Sequence, residues 1–267
     1  MIEVRERMEE FKDALRKYTH LLKGGKIDLE KTIKIEELEL KLIDDLISDK
    51  SVICESKRDL QSLIEALLDS GWIEEAMRRT SHELNVEIDS SPREALEAFL
   101  TGNVEKPAGK VALLVVQSIA RCLAESKLES GEIVEEVTPL CPVCGAESRT
   151  MVLEREGYYM VCPFCSYKWL VSRDKIRCPY CGNDNPISLG VFSDRARRLG
   201  LVVCQECGAT WRLVIDKSIK APRILLPVIS LGAEAYRKFI HNDMVRKPGG
   251  QHTTDAIVEG GGEDAQG

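Results

Sequence analysis

Aromatic side chains and histidines are scarce in this sequence. Phe, Tyr and Trp make up 5% of its 267 residues, which argues against a large β-sandwich and favours helix-rich packing. The four histidines lie far apart and belong to no recognisable ligand or triad pattern. No Ser/His/Asp set and no pair of catalytic carboxylates stands out either. We therefore expect that the chain is not an enzyme.

Long apolar runs are missing as well. The longest, near residues 111–119 and 225–231, are too short to cross a bilayer and are interrupted by polar residues. The first residues, MIEVRERMEE, lack the apolar core of a signal peptide. We expect a cytoplasmic protein without a membrane span, in which paired cysteines are metal ligands or redox thiols rather than structural disulfides.

No part of the chain is strongly basic. The net charge is −7, and residues 1–140 hold 20 Lys and Arg against 30 Asp and Glu. Residues 141–216 hold 10 basic against 8 acidic residues, which is close to neutral. Nucleic acid is therefore not an expected partner.

Apolar residues recur at helical spacing through the first half of the chain. The predicted helices lie near residues 2–23, 33–48, 57–69, 72–84, 92–100 and 108–127. We interpret residues 1–137 as one acidic all-helical domain, in which Pro92 opens a helix after two serines. A C-terminal helix is predicted within residues 221–246. The Gly-rich residues 247–267 are predicted to be disordered.

Eight of the ten cysteines form four Cys-x-x-Cys pairs. Each such turn points two thiolates at one spot, and two turns close a tetrahedral cage of four sulfurs. The pattern CPFCSYKW, starting at Cys162, recurs 42 residues later as CQECGATW, starting at Cys204. This repeat assigns four ligands to each of two units. The predicted ligands are Cys141, Cys144, Cys162 and Cys165 in the first unit, and Cys178, Cys181, Cys204 and Cys207 in the second.

The two units are predicted to be tandem rubredoxin-like or zinc-ribbon domains, at residues 138–172 and 173–220. Short strands are predicted near residues 158–161, 168–171, 201–203 and 210–215. The fold class is therefore α+β: an N-terminal all-helical domain, two tandem four-cysteine units and a C-terminal helix. Each unit is too small for a core of its own, so a bound metal should supply its folding energy. We expect two metal ions per chain, and a cage of four sulfurs suits iron and zinc alike.

Residues beside the cysteine pairs carry further predictions. Three pairs are followed by a glycine that permits the closing turn, namely Gly145, Gly182 and Gly208. Ser166 takes that place after the remaining pair. Trp169 and Trp211 are each interpreted as covering their own metal site, with stacking on a partner as the alternative.

Residues 141–216 resemble the FdhE-type formate dehydrogenase accessory proteins. The resemblance rests on the order CPVCG, then GYYMVCPFCSYKWLVSRDKIRCPYCG, then VFSDRARRLGLVVCQECGATWRLVI. The join of 12 residues between Cys165 and Cys178, with Trp169 and Arg177-Cys178-Pro179, separates this arrangement from a generic pair of zinc ribbons. Helices before and after the ribbons also fit that family.

The resemblance implies a cytoplasmic maturation factor. Such proteins bind the molybdenum- or tungsten-containing catalytic subunit of formate dehydrogenase and are needed for its active assembly. The family is associated with rubredoxin-like iron binding and with homodimers. Carried onto this chain, the resemblance makes the eight paired cysteines both metal ligands and contacts to the partner.

Two other functions stay open at this point. A rubredoxin-like iron electron-transfer protein would use the same cage of sulfurs, because iron changes its oxidation state there without large rearrangement. A zinc-ribbon nucleic-acid binder is the third interpretation, and the acidic composition counts against it.

Overall fold

The computed structural model describes residues 4–18, 29–48, 59–101, 106–131, 133–193 and 199–215. The predicted C-terminal helix at 221–246 and tail at 247–267 lie outside the described residues. Within them, six helices precede six strands, and the predicted α+β class is confirmed. The helices are α1 Val4–Tyr18, α2 Leu29–Ser48, α3 Leu60–Asp69, α4 Trp72–Leu84, α5 Pro92–Leu100 and α6 Pro107–Glu129.

Polar residues start the helices near the predicted positions. Asp59 caps α3, because its carboxylate accepts a hydrogen bond from the backbone N–H of Ser62 at 2.8 Å. At α5 the Ser91 hydroxyl accepts from the Glu94 N–H, and the Glu94 carboxylate accepts from the Ser91 N–H. This reciprocal cap, with Pro92 in the first turn, fixes the helix start that the sequence predicted.

Helix α6 is the centre of the helical domain. It packs against α2, α3, α4 and α5, and most of its residues from Val111 to Ala124 are buried. By length and composition alone α6 could cross a membrane, but 78% of its most apolar stretch is buried inside the protein. Its position in the core accounts for its apolar composition.

The strands form one mixed sheet in the order β3-β2-β1-β6-β5-β4. Their bounds are β1 Thr150–Leu153, β2 Tyr158–Val161, β3 Lys168–Ser172, β4 Leu189–Ser193, β5 Leu199–Cys204 and β6 Thr210–Val214. The sequence predicted β2, β3, β5 and β6. It missed β1 and β4, which, unlike the predicted strands, do not adjoin a cysteine pair and show no alternation of apolar and polar residues.

The two cysteine units share this sheet. The first unit supplies β1 to β3 and the second supplies β4 to β6, each as an antiparallel set. Strands β1 and β6 pair in parallel, with Met151 opposite Leu213, and so join the two units edge to edge. The repeat seen in the sequence is therefore a repeat of three strands within one layer.

A buried ionic network connects α6 to α1 and α2. The Arg121 guanidinium lies 2.8 Å from a Glu36 oxygen and 3.2 Å from oxygens of Glu39 and Glu125. Arg7 pairs with the same Glu125. Burial disfavours the charged guanidinium, but the three carboxylates outweigh burial and raise the pKa of Arg121.

We predict that Arg121→Met lowers the free energy of unfolding by about 3–5 kcal/mol, because the buried Glu36 and Glu39 carboxylates lose the guanidinium that pairs with both of them. Urea unfolding followed by far-ultraviolet circular dichroism measures the change. The matched control is Arg78→Met, which removes an exposed pair with Glu75 and should leave the stability nearly unchanged. Equal losses in the two variants would show that the buried network does not stabilise the fold.

Candidate metal centres

The structure brings the eight paired cysteines together in two groups, as the sequence repeat predicted. Within each group the sulfur atoms all lie within 4.8 Å of one another. The first site consists of Cys141, Cys144, Cys162 and Cys165, and the second site of Cys178, Cys181, Cys204 and Cys207. Each site combines the two Cys-x-x-Cys turns of one unit, here called knuckles. The first knuckle precedes the first strand of the unit, and the second connects its second and third strands. The two sites therefore lie in different repeats of the sheet.

The sulfur–sulfur distances fit a tetrahedral ion. In the first site, Cys141 lies 3.6 Å from Cys165 and Cys144 lies 3.4 Å from Cys162. The corresponding distances in the second site are 3.6 and 3.7 Å. A metal–sulfur bond of about 2.3 Å gives a tetrahedron with edges of about 3.8 Å. Both sites could hold one metal ion, and the donor set suits zinc and iron alike.

All four Cys-x-x-Cys turns have the same backbone geometry. In each, the N–H of the residue after the pair donates to the carbonyl of the first cysteine, at 2.8 to 3.2 Å. That residue has a positive φ in every case, from 67° to 77°. Three of the four are the predicted glycines, and the fourth is Ser166 with a φ of 67°. Ser166 therefore adopts a conformation that costs an L-residue energy, and its hydroxyl is buried without a hydrogen-bond partner.

Backbone N–H groups point at the sulfurs. In the first site, the Val143 N–H donates to Cys141 at 3.4 Å, and the N–H groups of Phe164 and Cys165 donate to Cys162 at 3.3 and 3.4 Å. In the second site, the Asn183 side-chain amide donates to Cys204 at 3.6 Å. Such donors stabilise thiolates and orient them for a metal.

The thiols of the first site influence each other strongly. Hydrogen bonds from Cys141, Cys144 and Cys165 lower the pKa of Cys162. Hydrogen bonds with its three neighbours raise the pKa of Cys165. In the second site, desolvation opposes ionisation of Cys204, but the N–H groups of Cys207 and Glu206 outweigh it, and its pKa is lowered to about 7. Crowded thiols of this kind cannot all ionise without a cation, and a bound metal removes that conflict.

The two sites differ in their exposure to solvent. In the first site Cys141, Cys162 and Cys165 are buried and Cys144 is half-buried. In the second site Cys181 and Cys207 are exposed, while the other two cysteines are buried. The first site is therefore enclosed by protein, and the second has one open side.

Trp169 and Trp211 are buried, with exposed fractions of 0% and 1%, in one hydrophobic cluster with cysteines of both sites. The Trp169 indole N–H donates to the Thr138 carbonyl at 3.1 Å. Burial excludes stacking of either ring on a partner, whereas the interpretation that each tryptophan covers its own site stays a prediction. Both rings belong to the cluster that connects the two units.

The contact between the first site and the helical domain was not predicted. The third residues of its two knuckles, Val143 and Phe164, pack against the helical core. The Phe164 ring stacks on Phe99 of α5, with 6.4 Å between the ring centroids. In the second unit the equivalent residues are polar: Tyr180 donates to Glu147 at 2.8 Å, and Glu206 is exposed. In the sequence, an apolar residue at the third position of both knuckles could therefore have identified the unit that packs against the helices.

Cys122 lies apart from both sites. It is buried in α6, as its apolar surroundings predict. It is disulfide-bonded.

Comparison with known proteins supports the fold. No protein-family model and no curated protein matches the sequence. A solved structure, the crystal structure of the FdhE protein from Pseudomonas aeruginosa, matches with a TM-score of 0.55 and 16% sequence identity. The match covers 88% of this chain and 92% of that one. The chain therefore has an FdhE-like fold, which agrees with the resemblance of the cysteine region.

We predict that Ser166→Gly raises the free energy of unfolding of the metal-loaded protein by about 1 kcal/mol, because glycine adopts a positive φ without strain. The reciprocal change Gly182→Ser, at a φ of 77° with no atom near the added Cβ, should lower it by a similar amount. Urea unfolding measures both. Destabilisation by Ser166→Gly would show that the serine makes a stabilising contact.

We also predict that zinc leaves the second site first. In the zinc-loaded protein, a colorimetric chelator should remove the ion of the second site at least about tenfold faster than the ion of the first. The chelator can reach the exposed sulfurs of Cys181 and Cys207 without local unfolding of the protein. Cys181→Ser should remove the fast phase and Cys144→Ser the slow phase. Release of both ions at one rate would show that exposure does not control metal loss.

Proposed function

We propose that this protein is a cytoplasmic maturation factor that binds the catalytic subunit of a molybdenum- or tungsten-dependent formate dehydrogenase and assists its assembly. In this proposal the protein is not itself an enzyme, and each of its two four-cysteine sites holds one metal ion. The observation that carries the proposal is the FdhE-like fold over 88% of the chain, combined with two complete four-sulfur sites at the cysteines of the resembling motifs.

The geometry suggests separate tasks for the two sites. The first site is enclosed, and two of its knuckle residues pack into the helical domain. A metal bound there would fix the sheet against the helices. The second site has two exposed ligands, Cys181 and Cys207, and lies in the repeat whose knuckles do not pack on the helical core. We assign the second site to the surface that meets the client enzyme.

Electron transfer is the second candidate function. The exposure of Cys181 and Cys207 favours it, because iron held there would lie close to solvent and to a redox partner. Metal identity separates the two candidates. Two tightly bound zinc ions and a colourless protein would exclude electron transfer, whereas about two irons with bands that bleach on reduction would keep it open.

The decisive experiment measures metal content and client capture together. Affinity-tagged protein is co-expressed with the formate dehydrogenase catalytic subunit of the same organism, in wild-type form and as two double variants. Cys144→Ala with Cys162→Ala destroys the first site, and Cys181→Ala with Cys204→Ala destroys the second. We expect each double variant to lose one metal ion and to capture at least about tenfold less client, because the folded sites organise the contact surface.

The controls separate a lost site from a lost fold. Arg78→Met changes an exposed residue of α4 away from both sites and removes no ligand, so it should capture the client normally. Far-ultraviolet circular dichroism should show intact helices in all variants. If a chain without either metal site captured the client at the wild-type level, the proposal would be wrong.

A further inference from the structure

A groove runs between α3 and α5 and ends at the first metal site. Its volume is about 760 Å³. Val116 of α6 contributes to its lining, and Val143 and Cys144 of the first knuckle close it. A ligand of the first site therefore lines a space that none of the described metal or core contacts uses.

Helix α3 carries two apolar stripes. Leu63 and Leu67 are fully buried in the helical core. Leu60, Ile64 and Leu68 form a second stripe, which packs against the core, is half-buried and lines the groove. A surface helix of a globular protein usually needs only one apolar stripe. The second stripe spans about 12 Å along the helix axis, which corresponds to slightly more than two turns.

The opposite wall contacts a Cys-x-x-Cys turn of the first metal site. Leu96 and Phe99 of α5 line this wall, and α5 packs on α6. Phe99 also stacks on Phe164, which lies between two ligands of the first site. The first site thus closes the end of the groove and contacts one of its walls.

The rim of the groove is acidic. Among the residues that the structure describes, Asp59, Glu65 and Glu97 lie on the rim, together with one cation, Arg93. The Glu65, Glu97 and Arg93 side chains are exposed to solvent. Residues 1–140 carry the same excess of acid, so the field around the groove attracts positive charge.

We infer that this groove binds an amphipathic helix of the client protein, with its apolar face against the α3 and α5 stripes and Lys or Arg residues against the acidic rim. Two walls built from helices, with apolar anchors on α3 at i, i+4 and i+8, suit a third helix of about three turns. The inference rests on the proposed function for the identity of the partner. The groove itself stands on the described residues alone.

The inference links binding to the metal. Loss of the first site frees Val143, Cys144 and Phe164, and with them the end of the groove and a contact in one of its walls. Loss of the second site, whose knuckles do not line the groove, changes neither. Helix binding should therefore depend on the first site and not on the second.

Fluorescence anisotropy with a defined probe tests the groove. The probe is a labelled 18-residue helical peptide with Leu on one face and Lys on the other, and a second peptide carries Glu in place of Lys. The full-length, metal-loaded protein is titrated at physiological salt. We expect binding of the Lys peptide, with at least about tenfold weaker binding of the Glu peptide, because like charges repel at the rim.

Matched variants locate the binding. Ile64→Asn in the groove should weaken binding at least about tenfold. Ile47→Asn changes an isoleucine on α2, 38% exposed and outside the groove, and should leave binding unchanged. Glu97→Lys, at an exposed position that does not threaten folding, should weaken the Lys peptide and strengthen the Glu peptide. Cys144→Ala should lose binding and Cys181→Ala should keep it.

Three results would overturn the inference: equal binding by the Ile64→Asn and Ile47→Asn variants, equal binding of both peptides, or no binding to the full-length chain. Self-association that Ile64→Asn abolishes would assign the groove to a second copy of this chain and overturn it as well. Competition by the catalytic subunit separates the groove from the proposed function. Groove-dependent binding that the subunit does not displace contradicts that client, whereas client capture without peptide binding contradicts the groove alone.

Discussion

The convergence of four sulfurs on one point is the constraint on which the cysteine region depends. Each unit has three short strands and two turns, which bury too little apolar surface to stabilise it alone. The turns nevertheless share one geometry, in which a residue of positive φ closes each pair and returns a hydrogen bond to the first cysteine. A cation is the group that satisfies four crowded thiols at once, and a metal bound there would supply folding energy that the short strands lack.

The two repeats contain four-sulfur sites of similar geometry that differ in the residues around them. The sulfur–sulfur distances are nearly the same in both, and the difference lies in the residues between the cysteines. Val143 and Phe164 are apolar and pack into the helical core, whereas Tyr180 reaches the neighbouring unit and Glu206 faces solvent. The first site contacts the helical core, and the second site is partly exposed at the surface. The two sites thus differ in the side chains at the third position of each knuckle, which are apolar in the first unit and polar in the second.

The sequence predicted the parts that depend on local pattern. Helical periodicity located all six described helices, and the cysteine repeat gave the correct partition of the eight sulfurs. Strands β1 and β4 were missed because they lack alternation and, unlike the predicted strands, do not adjoin a cysteine pair. The parallel pairing of β1 with β6 and the stacking of Phe99 on Phe164 join residues that are far apart in the chain, and no local pattern records them. The groove was missed for the same reason, although the second apolar stripe on α3 is visible in LQSLIEALLD.

The position of the first site gives its metal an influence beyond its own ribbon. Phe164 lies between two ligands and stacks on α5, and Cys144 is both a ligand and part of the groove wall. Through α6, which contacts both hydrophobic clusters, the same site is tied to the centre of the helical domain. Loss of a metal from that site would therefore affect the end of the groove and the Phe99–Phe164 contact in its wall. Because the client helix is proposed to bind there, the loaded metal site would act as a condition for recognition, and an accessory protein without its metal would have no formed surface to offer.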